Sequence, residues 1–475
     1  MEYEAVIGLE VHAQLKTRSK AFCGCMAEFG APANSLTCPV CLGFPGSLPV
    51  LNEKALEYGL RAALALHCSV QSFSKFDRKN YFYPDLPKNY QISQYDLPLA
   101  LGGFLEIEVS GAKKRIGIIR AHLEEDAGKL IHEEGHSLVD YNRAGVPLLE
   151  IVSAPEIYSP EQAYEYLASL KAILKYLEVC DCDMEKGSLR CDANVSLRKP
   201  GAKELGIKAE LKNMNSFKAV RDALNYELKR QKEVLESGGS IRQETRLWDE
   251  VSGKTQAMRS KEEAMDYRYF PEPDLPPFVL SDEEIETIRE GLPELPQALK
   301  QRFISQYELN SYDAGILTSE KALAEFFEAC VGLYPRAKAI CNWISGPLSY
   351  EFNSRNTRIE SLKLKPEMLV RLIKLVEQGV LSNLAAKALL SEMLNSGRPA
   401  DELIKEKDLT QVSDTKALDE LLDKVIADNP GSVMDYNSGK ANALMFLVGQ
   451  AMRLSKGKAN PKLVQEALRR RLNNA

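Results

Sequence analysis

Ala5-Val-Ile-Gly-Leu-Glu-Val-His-Ala-Gln-Leu15 decides the fold of the first half of this chain. Its odd positions are Ala5, Ile7, Leu9, Val11, Ala13 and Leu15, and its even positions are Val6, Gly8, Glu10, His12 and Gln14. A period of two is that of a β-strand with one face on a core and the other on solvent or a cleft. Ser188–Arg198 repeats the pattern, with Leu189, Cys191, Ala193, Val195 and Leu197 set against Ser188, Arg190, Asp192, Asn194, Ser196 and Arg198. Ile207–Lys212 sets Lys208, Glu210 and Lys212 opposite Ile207, Ala209 and Leu211, and Ile116–Glu124 lines up Arg120, His122 and Glu124. A merely solvated face would carry Ser, Thr and Lys. These faces mix carboxylates, His, Arg and Lys, as a site holding a metal and phosphates must.

Around these strands, Glu53–Leu66, Ser159–Tyr176 and Ser216–Leu235 show helical periodicity. Strands joined by hairpins imply an α+β layout, a largely antiparallel sheet with helices on one face. Glu284–Glu294 reads as a polar helix ending at Pro293. From about residue 295 the alternation stops, and Leu299–Leu309, Ala322–Val331, Ala337–Phe352, Pro366–Glu377 and Asn383–Asn395 read as helices. The polar stretch Ser396–Asp408 reads as a linker. Asp414–Ala427, Ser432–Ser438, Gly439–Ser455 and Asn460–Asn473 then read as a compact helical tail around Leu444-Met-Phe-Leu-Val448. The expected domains are 1–294, 295–407 and 408–475.

The 475 residues carry a net charge of −6, which argues against wholesale nucleic-acid binding. The tail is the exception. Between Gly439 and Ala475 the one acid, Glu466, stands against Lys440, Arg453, Lys456, Lys458, Lys462 and Arg469–Arg471. Such a basic end on an acidic protein is where an anion is met. No apolar run approaches a membrane span. The start, MEYEAVIGLEVHAQL, lacks the basic and apolar regions of a signal peptide, so a cytoplasmic protein is expected.

Of the ten cysteines, Cys68, Cys180, Cys182, Cys191, Cys330 and Cys341 sit among apolar residues and read as buried thiols. Cys23-Gly-Cys25 and Cys38-Pro-Val-Cys41, twelve residues apart, read as a knuckle of four thiolates for structural zinc, with no position open for catalysis. Two other motifs are deceptive. His132-Glu-Glu-Gly-His136 matches a zinc-protease pattern that works only on a helix, and Glu133-Glu134-Gly135 reads as a hairpin turn. Gly253-Lys254-Thr255 resembles the end of a phosphate loop, but the glycine required five residues earlier is Trp248. A hairpin between Gln243–Trp248 and Thr255–Arg259 is expected instead. Lys75–Tyr90 and Met265–Pro277, dense in Arg, Lys, Asn, Tyr and Pro, read as ordered loops suited to phosphate, ribose or base.

Several long segments carry a family likeness. They are Gly8–Leu15, Lys75–Tyr90, Arg120–Gly128, Glu185–Arg198, Lys208–Phe217, Asp266–Asp274 and the tail from Gly439 through Gly449 and Lys456 to Pro461. Together, and in order along the whole chain, they resemble the B subunits of glutamine-dependent aspartyl/glutamyl-tRNA amidotransferases. The resemblance implies a cradle domain distantly like glutamine synthetase, a helical domain, and a tail that grips tRNA through residues such as Lys440, Arg453, Lys456 and Lys458. It implies ATP-dependent phosphorylation of Asp or Glu mischarged on the tRNA for Asn or Gln. Ammonia then replaces phosphate. The resemblance has it delivered from glutamine hydrolysed in the amidase, or A, subunit, with the small C subunit holding the complex together. Glu10, His12, Glu124 and Glu210 match the family's Mg²⁺ region, and Lys79, Tyr81 and Glu125 its channel mouth. Alternation sets Glu125 opposite Glu124. From sheet facing, Arg190, Lys208 and Lys212 are expected near phosphate, with Asp192 beside them. The chain has no Gly-Gly-Ser-Ser run, so it is expected not to release ammonia from glutamine itself.

Overall fold

The computed structural model describes residues 3–258, 266–357, 359–407, 415–440, 442–455 and 461–473. The chain divides into two compact units, Met1–Leu295 and Pro296–Ala475. In the first, the strands are β1 (Glu4–Gln14), β2 (Ser69–Val70), β3 (Phe73–Ser74), β4 (Asp77–Asn80), β5 (Tyr90–Ser93), β6 (Ala100–Leu101), β7 (Phe104–Val109), β8 (Ala112–Glu125), β9 (Lys129–Glu133) and β10 (His136–Asp140). They continue with β11 (Pro147–Ser153), β12 (Leu189–Arg198), β13 (Ala209–Lys212), β14 (Glu244–Asp249), β15 (Lys254–Ala257), β16 (Phe270–Pro271) and β17 (Phe278–Val279). The main sheet runs β15-β14-β13-β12-β1-β11-β8-β6-β2, with β7 also on β8. It is antiparallel except between β13 and β14.

Helices α1 (Pro39–Leu42), α2 (Glu53–Ala65), α3 (Pro160–Tyr176), α4 (Phe217–Glu236) and α5 (Asp282–Glu290) complete the unit. Ser159 and Ser216 accept backbone N–H groups at the starts of α3 and α4, the cap that each sequence offers. One core takes Ile7, Leu9, Val11 and Ala13 of β1, Leu189, Cys191, Ala193 and Val195 of β12, and Tyr166, Leu167, Leu170, Val220 and Leu224 of α3 and α4. Each large side chain buried there contributes about 1.5–3 kcal/mol. The helices therefore take the apolar face of the central strands, and the polar face is left for a site.

Three expectations need correction here. Ile207 and Lys208 lie outside β13 and are exposed. A Cβ at Gly206 would come within 2.1 Å of the Leu197 carbonyl oxygen, so the chain is still crossing the end of β12 and the ladder begins only at Ala209. The polar helix runs over Asp282–Glu290 rather than Glu284–Glu294: the capping box of Ser281 and Glu284 sets its earlier start, and it ends at the cap residue Gly291, ahead of Pro293. Part of the Lys75–Tyr90 loop is strand: β4 pairs with β5 and with β16. The two hairpins form as expected, β9–β10 turning at Glu134-Gly135 and β14–β15 at Gly253. Among the described residues no helix is long and apolar enough to cross a membrane.

The second unit is helical: α6 (Pro296–Tyr307), α7 (Ser311–Leu317), α8 (Lys321–Leu333), α9 (Ala337–Trp343), α10 (Ser349–Arg355), α11 (Pro366–Glu377), α12 (Asn383–Ser396) and α13 (Ala400–Lys407). The helix expected over Ala337–Phe352 is interrupted by a π-turn at Ile344–Leu348, because Pro347 has no N–H to give the ladder. The expected linker is largely α13, whose Ala400, Leu403 and Ile404 are buried at helical spacing. Asp408 lies outside the described residues. The tail helices α14 (Thr415–Asp428), α15 (Pro430–Asn437), α16 (Asn442–Leu454) and α17 (Pro461–Leu472) close a separate small core of Leu422, Val425, Leu444, Leu447, Val448, Val464 and Leu468.

Candidate active site

Register assembles the polar face. His12 on β1 stands between Arg190 of β12 and Glu150 of β11, and Glu150 stands opposite His122 of β8. Strand β8 joins this row through a bulge. Ile118 pairs with Ser153 and Arg120 with Val152, leaving Ile119 as the extra residue. The core face of β8 accordingly passes from Ile116 and Ile118 to Ala121 and Leu123. Without that one-residue shift, His122 and Glu124 would share the core face with Ile116 and Ile118.

The result is a buried acid–imidazole cluster. His12 Nε2 lies 3.3 Å from Glu150 Oε2 and 3.6 Å from Glu124 Oε1. His122 Nε2 lies 3.3 Å from the same Glu150 oxygen and 3.8 Å from Glu124 Oε2. Burial works against charge on both imidazoles, yet the two carboxylates outweigh it: His12 is raised above its ordinary value and His122 rises to about 9. Burial likewise opposes ionisation of Glu124 and Glu150, and the imidazoles hold both below the usual carboxylate range. One donor atom each from His12, Glu124 and Glu150 converges within 4.8 Å. Two carboxylate oxygens and one imidazole fit a hard divalent cation that keeps further positions for water or phosphate oxygens.

Of the expected metal set, then, His12 and Glu124 meet in this cluster, while Glu10 and Glu210 do not. Glu10 accepts from Asn194 Nδ2 at 2.8 Å. Glu210 accepts from Thr245 Oγ1 at 2.8 Å and pairs with Lys212 at 2.9 Å, on the far side of β12. Glu150 was missed by sequence reasoning. Its signal is the lone acid of an otherwise apolar strand, Pro147-Leu-Leu-Glu-Ile-Val-Ser153. The expected phosphate cations are mostly engaged. Arg190 Nη2 lies 2.9 Å from Asp126, Lys212 Nζ 2.6 Å from Asp192, and Lys208 is exposed.

Aromatic side chains edge the cluster. Tyr81 and Tyr267 rings meet at 5.9 Å, Lys79 Nζ lies 4.9 Å over Tyr267, and Tyr95 stacks on Tyr269 at 4.2 Å. The Tyr81 phenol is pushed up to about 12, first by burial and then by acids including Asp85 and Glu124. Glu125 turns the other way. Its Oε1 takes the Lys88 ammonium and the Ile92 N–H, and it lines a cavity of about 290 Å³ with Lys88, Arg78 and Cys41.

The four expected zinc ligands come together, with the Sγ atoms of Cys23, Cys25, Cys38 and Cys41 within 4.8 Å of one another. Cys38 and Cys41 sulfurs are 3.9 Å apart. Tetrahedral zinc with bonds of about 2.3 Å holds its sulfurs about 3.8 Å apart. The one-turn helix α1 brings Cys38 N–H to Cys41 Sγ at 3.2 Å, and Gly43, at φ +72°, ends the turn. Cys41 is lowered to about 4, first by the hydrogen bond from Cys23, with the Cys38 N–H and the Lys20 charge assisting. The other six cysteines are buried free thiols. The protease-like motif carries no such cluster, since His132 and His136 are exposed on a hairpin.

In the tail, Lys440 pairs with Asp435 at 2.8 Å, and Arg471 pairs with Asp419 and Asp423. Arg453, Arg469 and Arg470 are exposed. Lys456 and Lys458 lie outside the described residues.

Residues 5–286 match the GatB/GatE catalytic domain, and residues 325–472 match the GatB domain. A protein of Thermoanaerobacter sp. (strain X514) is 57% identical over 474 residues, covering 100% of both chains. One of Carboxydothermus hydrogenoformans is 56% identical, covering 99% of both. One of Thermodesulfovibrio yellowstonii is 54% identical, covering 98% of this chain and 99% of its own. All three are named as the B subunit of an aspartyl/glutamyl-tRNA(Asn/Gln) amidotransferase.

Proposed function

The chain belongs to the family of aspartyl/glutamyl-tRNA(Asn/Gln) amidotransferase B subunits, and from that premise we propose that its first unit activates and amidates the side-chain carboxylate of Asp or Glu mischarged on tRNA. The observation that carries this reading is the convergence of His12, Glu124 and Glu150 on the open face of the sheet. A free carboxylate resists ammonia because its oxygen leaves poorly; phosphorylation by ATP makes it a good acyl donor. His12, Glu124 and Glu150 would hold a divalent cation, which would supply charge neutralisation to the transferring phosphoryl group. His122 pairs with both carboxylates and positions them. The tyrosines at the rim narrow the access of water, and Lys79 and Tyr81 stand among them. Arg190, steadied by Asp126, adds positive charge beside His12.

The other roles follow the family. Cys23, Cys25, Cys38 and Cys41 hold structural zinc. Glu10 and Glu210 flank the metal region, and Lys212 and Asp192 form a charge pair beside it. Glu125 faces the route by which ammonia arrives from the amidase (A) partner, and a small C partner completes a heterotrimer. The cradle spans 1–294, a helical domain 295–407, and a tRNA-binding tail 408–475. The separate core and the exposed arginines of the tail support that last assignment. A protein acting on aminoacyl-tRNA works where translation does, in the cytoplasm. The test is to supply the purified complex with Asp-tRNA(Asn) and Glu-tRNA(Gln), ATP, Mg²⁺ and glutamine. Asn or Gln formation and tRNA-stimulated ATP hydrolysis, both lost in EDTA, are expected. Amidation that proceeds without ATP would refute the activation step.

A further inference from the structure

Most cations on the cleft face already hold a carboxylate. Arg190 and Arg143 converge on Asp126, and Lys212 on Asp192 and Glu210. Arg120 has no carboxylate partner among the described residues. It makes a long hydrogen bond instead, Nη1 donating to the Tyr95 carbonyl at 3.4 Å. The residue is half-buried but that hydrogen bond is exposed, so the guanidinium stays accessible to a ligand with no acid neutralising it among the described residues. The bulge at Ile119 turns Arg120 onto the cleft face, two residues before His122, whose Nε2 is 3.3 Å from Glu150. Two residues along a strand is about 7 Å. The Tyr95–Tyr269 stack carries the Tyr95 carbonyl that holds Arg120, and so fixes the direction of the fork.

An unneutralised guanidinium on the same strand face, about 7 Å along from His122, which itself contacts Glu150 of the cation-binding set, is placed for an anion that reaches from that set to Arg120. We propose that Arg120 is the catalytic cation of this chain that contacts the transferring phosphoryl group; this rests on the activation reading above. In that step the substrate's carboxylate oxygen attacks the γ-phosphorus of ATP. The bond from that phosphorus to the bridging oxygen breaks, and ADP leaves with the electron pair. The carboxylate is already ionised near neutral pH, so no proton is transferred, and Arg120 stays protonated throughout. Ammonia then attacks the acyl carbon, the bond from that carbon to the phosphate oxygen breaks, and one ammonia proton leaves with the phosphate as hydrogen phosphate, giving the amide; Arg120 stabilises charge on the phosphate oxygens in both steps. The cations expected from sheet facing alone, Arg190 and Lys212, have acids to satisfy first.

The test uses the assembled complex with Mg²⁺, comparing Arg120→Gln and Arg120→Lys for binding of ADP and of a non-hydrolysable ATP analogue. Arg120→Gln should leave ADP affinity within about threefold and weaken the ATP analogue about 10- to 100-fold, the value of a charged hydrogen-bonded contact. It should lower tRNA-stimulated ATP hydrolysis about 10³-fold, as loss of an arginine on a transferring phosphoryl group does. Arg120→Lys should recover part of the binding but little of the rate, because a point charge lacks the fork. Glutaminase activity of the complex reports that each variant has folded and assembled; if Arg120→Gln fails there, Arg120→Lys carries the test. Unchanged analogue affinity and rate in a folded variant would overturn the proposal, as would equal losses for ADP and the analogue. If the wild-type complex shows no ATP-dependent activation, the reading beneath it fails instead, whatever the variants do.

Discussion

Glu150→Gln is the sharpest perturbation of the cluster, because the amide keeps the shape of the side chain and removes only its charge. Glu150 Oε2 stands 3.3 Å from two imidazole nitrogens at once. At an effective dielectric of about 20, each such pair is worth about 5 kcal/mol before solvation is counted. After desolvation, removing one partner of a buried pair costs about 3–5 kcal/mol. The variant escapes part of that, because His12 and His122 can discharge when their shared carboxylate is gone. A bound divalent cation cannot discharge, so the loss falls on the metal-loaded state. Taking about 3–4 kcal/mol, at about 1.4 kcal/mol per decade, predicts activity about 10²- to 10³-fold lower at fixed Mg²⁺. The assay is ATP-dependent Asn-tRNA or Gln-tRNA formation by the assembled complex across a Mg²⁺ titration, with tRNA affinity measured in parallel. The midpoint should move to higher Mg²⁺ while tRNA affinity stays within a few-fold. A Glu150→Gln complex with the wild-type Mg²⁺ midpoint and rate would remove Glu150 from any cation site.

Metal analysis should find about one zinc per chain, absent from a Cys38→Ser/Cys41→Ser double variant that loses thermal stability first; retention of stoichiometric zinc there would end the knuckle reading. In chelator, the raised value of His122 gives a signed pH effect. A folded value of about 9 above an unfolded value near 6.5 means that its stabilisation is complete below about pH 6.5 and is lost as pH rises toward 9. The denaturation midpoints of wild type and His122→Gln should therefore converge across that window, and a gap that widens would contradict the geometry. Removing the tail at Thr415 should raise the KM for aminoacyl-tRNA and flatten the salt dependence of binding, and Arg453→Glu should do so in part. Unchanged tRNA affinity in the truncated complex would place recognition elsewhere.

Strands β1 and β12 were legible because their alternation is unbroken and their apolar residues enter one core together. Strand β8 was harder. Its apolar parity changes from Ile116 and Ile118 to Ala121 and Leu123, and the adjacent pair Ile118-Ile119 is the sequence trace of the bulge. Glu150 was hidden because both faces of β11 are apolar, at Leu148 and Leu149, so no alternation singled out its one acid. The thiolate cluster was readable because its ligands are local in sequence. Long-range pairing was not: nothing in the neighbourhood of Arg190 announces Asp126, 64 residues earlier, as its partner. In the second unit, α13 was lost among charged residues because a one-and-a-half-turn apolar stripe of Ala400, Leu403 and Ile404 is short for periodicity to reveal. The π-turn at Pro347 depends on how the preceding helix meets a missing N–H, which spacing alone does not express.

The end of β8 carries the division of labour that the proposed chemistry needs. Glu124 and Glu125 are consecutive and point to opposite sides of one strand. Glu124 joins His12, His122 and Glu150 on the cleft face, while Glu125 receives Lys88 and the Ile92 N–H in the cavity behind. The residues expected at a channel mouth divide in the same way. Lys79 and Tyr81 stand with Tyr267 at the rim of the cleft, and Glu125 lines the cavity together with Arg78 and Cys41 of the four-cysteine cluster. An acyl phosphate must be shielded from water, and ammonia must reach it unprotonated, so the nucleophile has reason to approach from a different side than ATP and tRNA. A single strand end with two adjacent carboxylates facing two compartments meets that requirement with no additional element. The bulge at Ile119, six residues upstream of Glu125, sets which carboxylate faces which side.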